Sequence, residues 1–95
     1  MTRPAAAEPI HVWFALLRGS LALDWAGPAE ALRSANTWLA DQGEPERFVL
    51  HFTAPQPTLT SSVGLQLSGL EPLPARLPVP SWVVVVGMTG KRIDV

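Results

Sequence analysis

The acid Asp24 is the residue of this sequence best placed for chemistry, because it stands between an apolar run and a predicted helix. Its neighbours Leu23 and Trp25 are apolar, and a partly buried carboxylate can hold or exchange a proton with a reacting group. The same position suits a structural role, in which the carboxylate accepts backbone N–H groups at the start of a helix. Both roles remain open for Asp24.

The other residues that could carry chemistry give weaker patterns. His11 and His51 lie on neighbouring predicted strands, but two histidines without a third ligand are more often strand residues with ordinary hydrogen bonds. The segment "GMTGK", residues 87–91, follows a strand, yet it is too short for a phosphate-binding loop, and Arg92 stands where Ser or Thr would hold magnesium. We therefore predict no metal site and no cofactor.

The composition limits the function classes. The chain has 95 residues, of which 47% are hydrophobic and 16% are charged, against a usual charged share of about 25%. This length allows one domain, and the small charged share indicates an apolar surface that some partner covers. The formal net charge of -1, with no basic cluster beyond Lys91 and Arg92, gives no electrostatic footprint for nucleic acid. Because the chain has no cysteine, disulfides, thiolate metal sites and a cysteine nucleophile are excluded.

Three apolar runs predict the strands of a parallel sheet. Residues 11–17, "HVWFALL", are almost continuously apolar and are bounded by Pro9 and Gly19, which is typical of a strand buried on both faces. Residues 47–54 give a second strand. Residues 82–86, "WVVVV", have the pattern of a central parallel strand, and a loop leaves the carboxyl edge of the sheet after them.

One helix is predicted between the first two strands. Gly27 and Pro28 supply its start and Gly43 its end, which gives a helix over residues 27–41. Residues 57–80 contain short β-prone pieces broken by glycines and prolines, and they predict a small hairpin followed by an irregular connection. The predicted fold class is α/β: an incomplete, doubly wound, flavodoxin-like parallel sheet with a strand-helix-strand unit, a small hairpin and a central strand.

The domain organisation follows from these elements. Residues 1–9 are predicted to form a flexible lead-in, and residues 10–95 one partial domain. A single helix covers one face of the sheet, whereas a parallel sheet needs cover on both faces. We expect the second face to be apolar and to need a partner that covers it. The predicted partner is a second copy in a homo-oligomer or a missing carboxyl-terminal half. No apolar run is long enough to span a membrane.

The order of these segments resembles the front half of the ThiJ/PfpI superfamily, a class I glutamine amidotransferase-like group. The likeness runs from about residue 10 to residue 90 and is most specific in "LDWAGPAEALRSAN", residues 23–36. That segment is most similar to the sensor domain of GlxA-type AraC-family transcriptional regulators. In that group a glycine, an apolar turn, Leu-Asp, Ala-Gly-Pro and a helix follow the first strand.

The resemblance implies a ligand pocket at the carboxyl edge of the sheet. In the superfamily, an acid four residues before the helix-starting proline hydrogen-bonds a nucleophilic cysteine there, and Asp24 and Pro28 have this spacing. We expect Asp24, Gly19, Gly87 and Met88 to line such a pocket. Relatives often carry a glycine pair whose backbone N–H helps to form an oxyanion hole, whereas Met88 follows Gly87 in this chain.

The function implied by the resemblance is a ligand-sensing domain of a cytoplasmic transcriptional regulator, in truncated form. The superfamily's cysteine and the regulators' helix-turn-helix module come after the residues present here. The chain alone is therefore predicted to have neither catalytic turnover nor affinity for DNA. The alternative is the front half of a ThiJ/PfpI-superfamily enzyme, a hydratase or an amidase-like hydrolase.

Overall fold

The fold is known from a computed structural model, which describes residues 8–88. Its elements follow in the order β1 (Ile10–Ala15), α1 (Ala22–Asp41), β2 (Phe48–Thr53), β3 (Leu59–Thr60), β4 (Gln66–Leu67) and β5 (Ser81–Val85). This mixed arrangement confirms the predicted α/β class and the strand-helix-strand unit. Most of the predicted lead-in, residues 1–7, and the end of the predicted domain, residues 89–95, lie outside the described residues.

The three longer strands form one parallel sheet in the order β2-β1-β5. In the register, Val12 of β1 lies beside Leu50 of β2 and Trp82 of β5. The sequence predicted the run of residues 82–86 as the central strand, but β1 takes the centre and β5 an edge of the described sheet. Exposure agrees with this order, since Val12 is fully buried whereas Trp82, its partner on the same face of β5, is 48% exposed.

Helix α1 begins at Ala22, so the predicted start at Gly27 and Pro28 was wrong. The chain turns into the helix early because the N–H of Leu21, the residue before it, donates to the carbonyl of Gly87 at 2.9 Å. Pro28 lies inside the helix, where it has no N–H to donate to the carbonyl of Asp24, four residues earlier. Asp24 is therefore in the first helical turn, where a carboxylate interacts favourably with the helix dipole.

The end of α1 follows the prediction. Gly43 has a φ of 74°, a conformation that glycine adopts without steric cost. Its N–H donates to the carbonyl of Ala40 at 3.0 Å, and the N–H of Glu44 donates to the carbonyl of Leu39 at 2.9 Å. This is the Schellman pattern, which satisfies the last carbonyls of the helix.

The side chain of Asn36 fixes α1 to the start of β2. Its Oδ1 accepts the N–H groups of Arg47 and Phe48, both at 3.0 Å, and its Nδ2 donates to the carbonyl of Phe48 at 2.7 Å. These three hydrogen bonds satisfy backbone groups at the point where the second strand begins.

The core lies between α1 and one face of the sheet, which we call the covered face. Val12 and Phe14 of β1 are fully buried there, and Ala29 of α1 packs against them together with the half-buried Trp25 and Leu32. The ring of Phe14 stacks on that of Phe52, with the centroids 5.1 Å apart.

The opposite face of the sheet, which we call the open face, has no helix packed on it among the described residues. It carries the alternate strand side chains: His11, Trp13, Ala15, Val49, His51, Thr53, Ser81, Val83 and Val85. Apolar side chains from all three strands lie on this face, as expected, and histidine, threonine and serine side chains interrupt them.

The strands β3 and β4 form the predicted small hairpin, with Leu59 opposite Leu67. It packs over the turn that follows β1, where the N–H of Gly19 donates to the carbonyl of Thr60 at 2.8 Å. Within residues 8–88, no helix is long and apolar enough to cross a membrane.

Candidate functional site

Two distant segments meet at the carboxyl edge of the sheet: the turn after β1 and the residues after β5. Ser20 and Met88 form an isolated antiparallel bridge, next to the hydrogen bond between Leu21 and Gly87. Ser20 is fully buried, and its hydroxyl donates to the carbonyl of Leu17. These contacts hold the first turn of α1 against the end of β5.

The carboxylate of Asp24 lies against the backbone of Gly87. A Cβ at residue 87 would be 2.6 Å from Oδ2 of Asp24 and 3.4 Å from Cδ1 of Leu21. Gly87 does not have a positive φ, so the reason for a glycine here is space and not conformation. Asp24 and the residue after the third apolar run therefore share one small area.

Asp24, Gly87 and Met88 meet at the carboxyl edge. Gly19, with a φ of 82°, directly precedes Ser20 in the same turn, and its N–H bonds the hairpin. The side chain of Asp24 is exposed and not partly buried, which differs from the environment expected for a tuned pocket acid. Contact of these residues with a ligand stays a prediction.

An open apolar groove of about 410 Å³ lies at the same edge of the sheet. We call it the edge groove; it is lined by Ala15, Leu16, Leu17, Thr53, Ala54, Pro55, Pro72, Leu73, Val85 and Val86. Thr53 has the only polar side chain in this lining, and its hydroxyl already donates to the carbonyl of Phe14 at 2.9 Å. Ligands of open α/β sheets bind outside the carboxyl ends of the strands, which is where this groove lies.

Sequence reasoning did not predict the residues that line the edge groove. Ala15, Thr53 and Val85 are the last residues of three strands, so their meeting at one edge follows from parallel pairing. No sequence pattern indicates that Pro72 and Leu73 line the groove, because their position depends on the path of an irregular segment. That path is set by Glu71, whose backbone pairs with the outer edge of β2.

The two histidines contact each other on the open face. Nδ1 of His11 lies 2.9 Å from Nε2 of His51, in line with the expectation of ordinary hydrogen bonds. Trp13 stacks on His51 with ring centroids 3.7 Å apart and planes 10° apart, and its Nε1 donates to Oγ of Ser81 at 3.1 Å. Burial, and next the nearby His11, lower the pKa of His51 below its usual value, while the Glu71 carboxylate acts in the opposite direction.

A second hollow of about 290 Å³ lies between α1, β2 and the hairpin, and Trp25 lines it. The indole stands edge-to-face against Phe52, with centroids 6.1 Å apart. Its Nε1 is buried and has no hydrogen-bond partner among the described residues. The described part of the chain brings together no three histidine, aspartate or glutamate side chains that could hold a metal ion.

No protein-family model matches the chain, and no curated protein matches its sequence. Among solved structures, the chain is similar to the crystal structure of an AraC family transcriptional regulator from Pseudomonas putida, with a TM-score of 0.67 and 22% sequence identity. The match covers 92% of this chain and 52% of the regulator, so the chain spans about half the length of that protein. The likeness shows a shared fold.

Proposed function

We propose that this chain is a ligand-sensing domain of an AraC-family transcriptional regulator, of the ThiJ/PfpI-like and GlxA type. The observation that carries the proposal is the fold shared with the Pseudomonas putida regulator over 92% of this chain. The specific segment of residues 23–36 supports it, since it builds the first turns of α1 and brings Asp24 to the carboxyl edge. As part of a transcriptional regulator, the domain would act in the cytoplasm.

The ligand-binding region in this proposal is the carboxyl edge of the sheet. The edge groove supplies apolar contact, and Val86 in its lining is followed directly by Gly87, against which Asp24 lies. A ligand at this border meets an apolar wall and a carboxylate that accepts hydrogen bonds. Met88, 51% exposed, lies next to them.

The proposed role is binding and not catalysis. The chain has no cysteine, and the exposed Asp24 has no nucleophile beside it among the contacts described above. We expect no hydratase or hydrolase turnover from the purified chain. Steady-state turnover that disappears in Asp24→Asn would contradict this and would favour the enzyme alternative.

The proposal includes a partner that covers the open face. A parallel sheet is covered on both faces, and the fold match leaves about half of the regulator's length without a counterpart. The cover in the full regulator would come from that other half or from a second copy, and DNA binding would reside outside the residues described here. Light scattering of the chain at several concentrations tests self-association.

Binding to the edge groove can be tested with the neutral fluorescent probe N-phenyl-1-naphthylamine. Val85→Glu places a carboxylate in the groove and is expected to weaken probe binding at least about tenfold, because apolar contact is lost to a charge. Val63→Glu is the matched control, since Val63 lies in the hairpin turn and is 78% exposed, compared with 83% for Val85. Equal binding by both variants would overturn the assignment of the groove.

A further inference from the structure

We propose that the His11–His51 pair is a proton-operated latch on the open face, which holds the three strands in register at neutral pH and opens in acid. The link from the latch to the edge groove rests on the proposed function above. The latch itself does not.

The geometry of the pair allows only one bridging proton. With Nδ1 of His11 and Nε2 of His51 2.9 Å apart, one nitrogen donates and the other must accept through its lone pair. A second proton converts the acceptor into a donor, so that the hydrogen bond is lost and two positive rings face each other. The bond therefore exists only while at least one ring is neutral.

The contacts around the pair extend across the whole sheet. His51 belongs to β2, His11 and Trp13 to β1, and Ser81 to β5. The hydrogen bond between the histidines, the stack of Trp13 on His51 and the hydrogen bond from Trp13 to Ser81 form one chain of contacts. Trp13 is only 7% exposed although no helix within residues 8–88 covers this face, so these contacts hold it in place.

The charged surroundings set the direction of the response. The titratable neighbours of His51 are His11 on β1 and Glu71 beside β2, while β5 presents Ser81 and valines, which do not titrate. Burial and His11 lower the pKa of His51, so the folded chain takes up this proton less readily than the unfolded chain. Neutral His51 therefore contributes fully to the stability of the fold above about pH 6.5, the histidine pKa of an unfolded chain. This contribution is lost as the pH falls through the lower pKa that His51 has in the folded chain.

Glu71 connects the latch to the edge groove. Its carbonyl accepts the N–H of Ala54 at 2.9 Å, and its N–H donates to the carbonyl of Phe52 at 3.1 Å. The next two residues, Pro72 and Leu73, line the groove. Protonated His51 attracts the Glu71 carboxylate, so the protonation state of the pair affects the position of that wall.

The fluorescence of Trp13 tests the latch, because an imidazolium quenches an indole in contact with it. The emission of Trp13 is obtained as the difference between the full chain and its Trp13→Phe variant. We expect a loss of this emission as the pH falls below about 6.5. The variant His51→Phe keeps an aromatic ring for the stack but cannot titrate, and its Trp13 emission should not change over this range.

The chain has two histidines in total, so proton NMR of their ring C–H signals gives an independent measurement on the unaltered chain. Coupled histidines titrate in two separated steps. A ring signal of His51 that titrates independently of His11, or a pH profile of Trp13 emission that is identical in the unaltered chain and in His51→Phe, would overturn the latch. The NMR measurement decides the question if His51→Phe does not fold.

The neutral probe N-phenyl-1-naphthylamine tests the link to the groove. Its affinity is expected to change at least about threefold between pH 8 and pH 5 in the unaltered chain and to stay constant in His51→Phe. An unchanged affinity overturns the link. If no probe binds at either pH, the proposed ligand site fails, and the Trp13 titration still decides the latch.

Discussion

The two faces of the sheet are built from alternate residues of the same strands, yet they differ in what completes them. On the covered face, Val12 and Phe14 are fully buried under α1. On the open face, Val85 is 83% exposed and the centre holds the hydrogen-bonded pair His11 and His51. The side chains of β1 on the covered face are buried within the strand-helix-strand unit, whereas the open face combines an apolar edge with titratable groups. We infer that folding stability comes mainly from the first face, and the proposed ligand binding would involve the second.

The strongest test of this comparison is Phe14→Ala. Phe14 is fully buried and stacks on Phe52, so its truncation leaves a cavity in the only helix-covered core of the described chain. We expect a loss of about 3–5 kcal/mol in the free energy of unfolding. Urea denaturation followed by circular dichroism measures it.

A matched pair of variants sharpens the same point. Val12→Ala and Val85→Ala remove the same atoms, one from a fully buried side chain and one from a side chain that is 83% exposed. The first should lose about 2 kcal/mol and the second no more than about 0.5 kcal/mol. Equal losses would mean that the open face is buried in solution and that the comparison fails.

Asn36→Ala should give the next largest effect. It leaves the N–H groups of Arg47 and Phe48 and the carbonyl of Phe48 without the amide that satisfies them, which should cost about 2 kcal/mol. Thermal unfolding measures the change, and Thr37→Ala is the control because Thr37 is exposed on the same helix. A result equal to that of Thr37→Ala would show that α1 is held to β2 by apolar packing alone.

Two glycine variants should give smaller effects than Asn36→Ala, with opposite signs. Gly87→Ala brings a Cβ against Asp24 and should lose about 1 kcal/mol, most of it regained in the double variant with Asp24→Ala. Gly27 lies inside α1 with open space around it, so Gly27→Ala should stabilise the chain by about 0.5–1 kcal/mol. Chemical denaturation of Gly87→Ala, Asp24→Ala, their double variant and Gly27→Ala measures both changes in the free energy of unfolding. Additive losses for residues 24 and 87 would contradict their contact.

Local patterns were sufficient for the features that depend on local physics. The apolar runs gave three strands within one or two residues of their observed bounds. The position of Gly43 predicted where the helix ends, because a Schellman motif needs a residue that tolerates a positive φ. The hairpin followed from its short β-prone pieces and glycines.

Features that depend on distant partners could not be predicted in this way. The helix begins at Ala22 because Leu21 bonds to Gly87 near the other end of the chain, and this tertiary contact outweighs the local start signal of Gly27 and Pro28. In the candidate site, proximity of Asp24 to Gly87 followed from the resemblance, but the exposure of Asp24 did not. The histidine pair required the register of β1 with β2, which no single-sequence pattern fixes.

The central position of β1 has a consequence for the order of events during synthesis. Its contact with β2 joins residues 40 apart, as between His11 and His51, whereas its contact with β5 joins residues 68 apart, as between Trp13 and Ser81. A chain made from its amino end can close the first pairing while the second edge of β1 has no partner. A bare strand edge is a template for pairing with other chains. The arrival of β5 pairs that edge of β1, so the bare edge of the described sheet moves from the apolar central strand to β5.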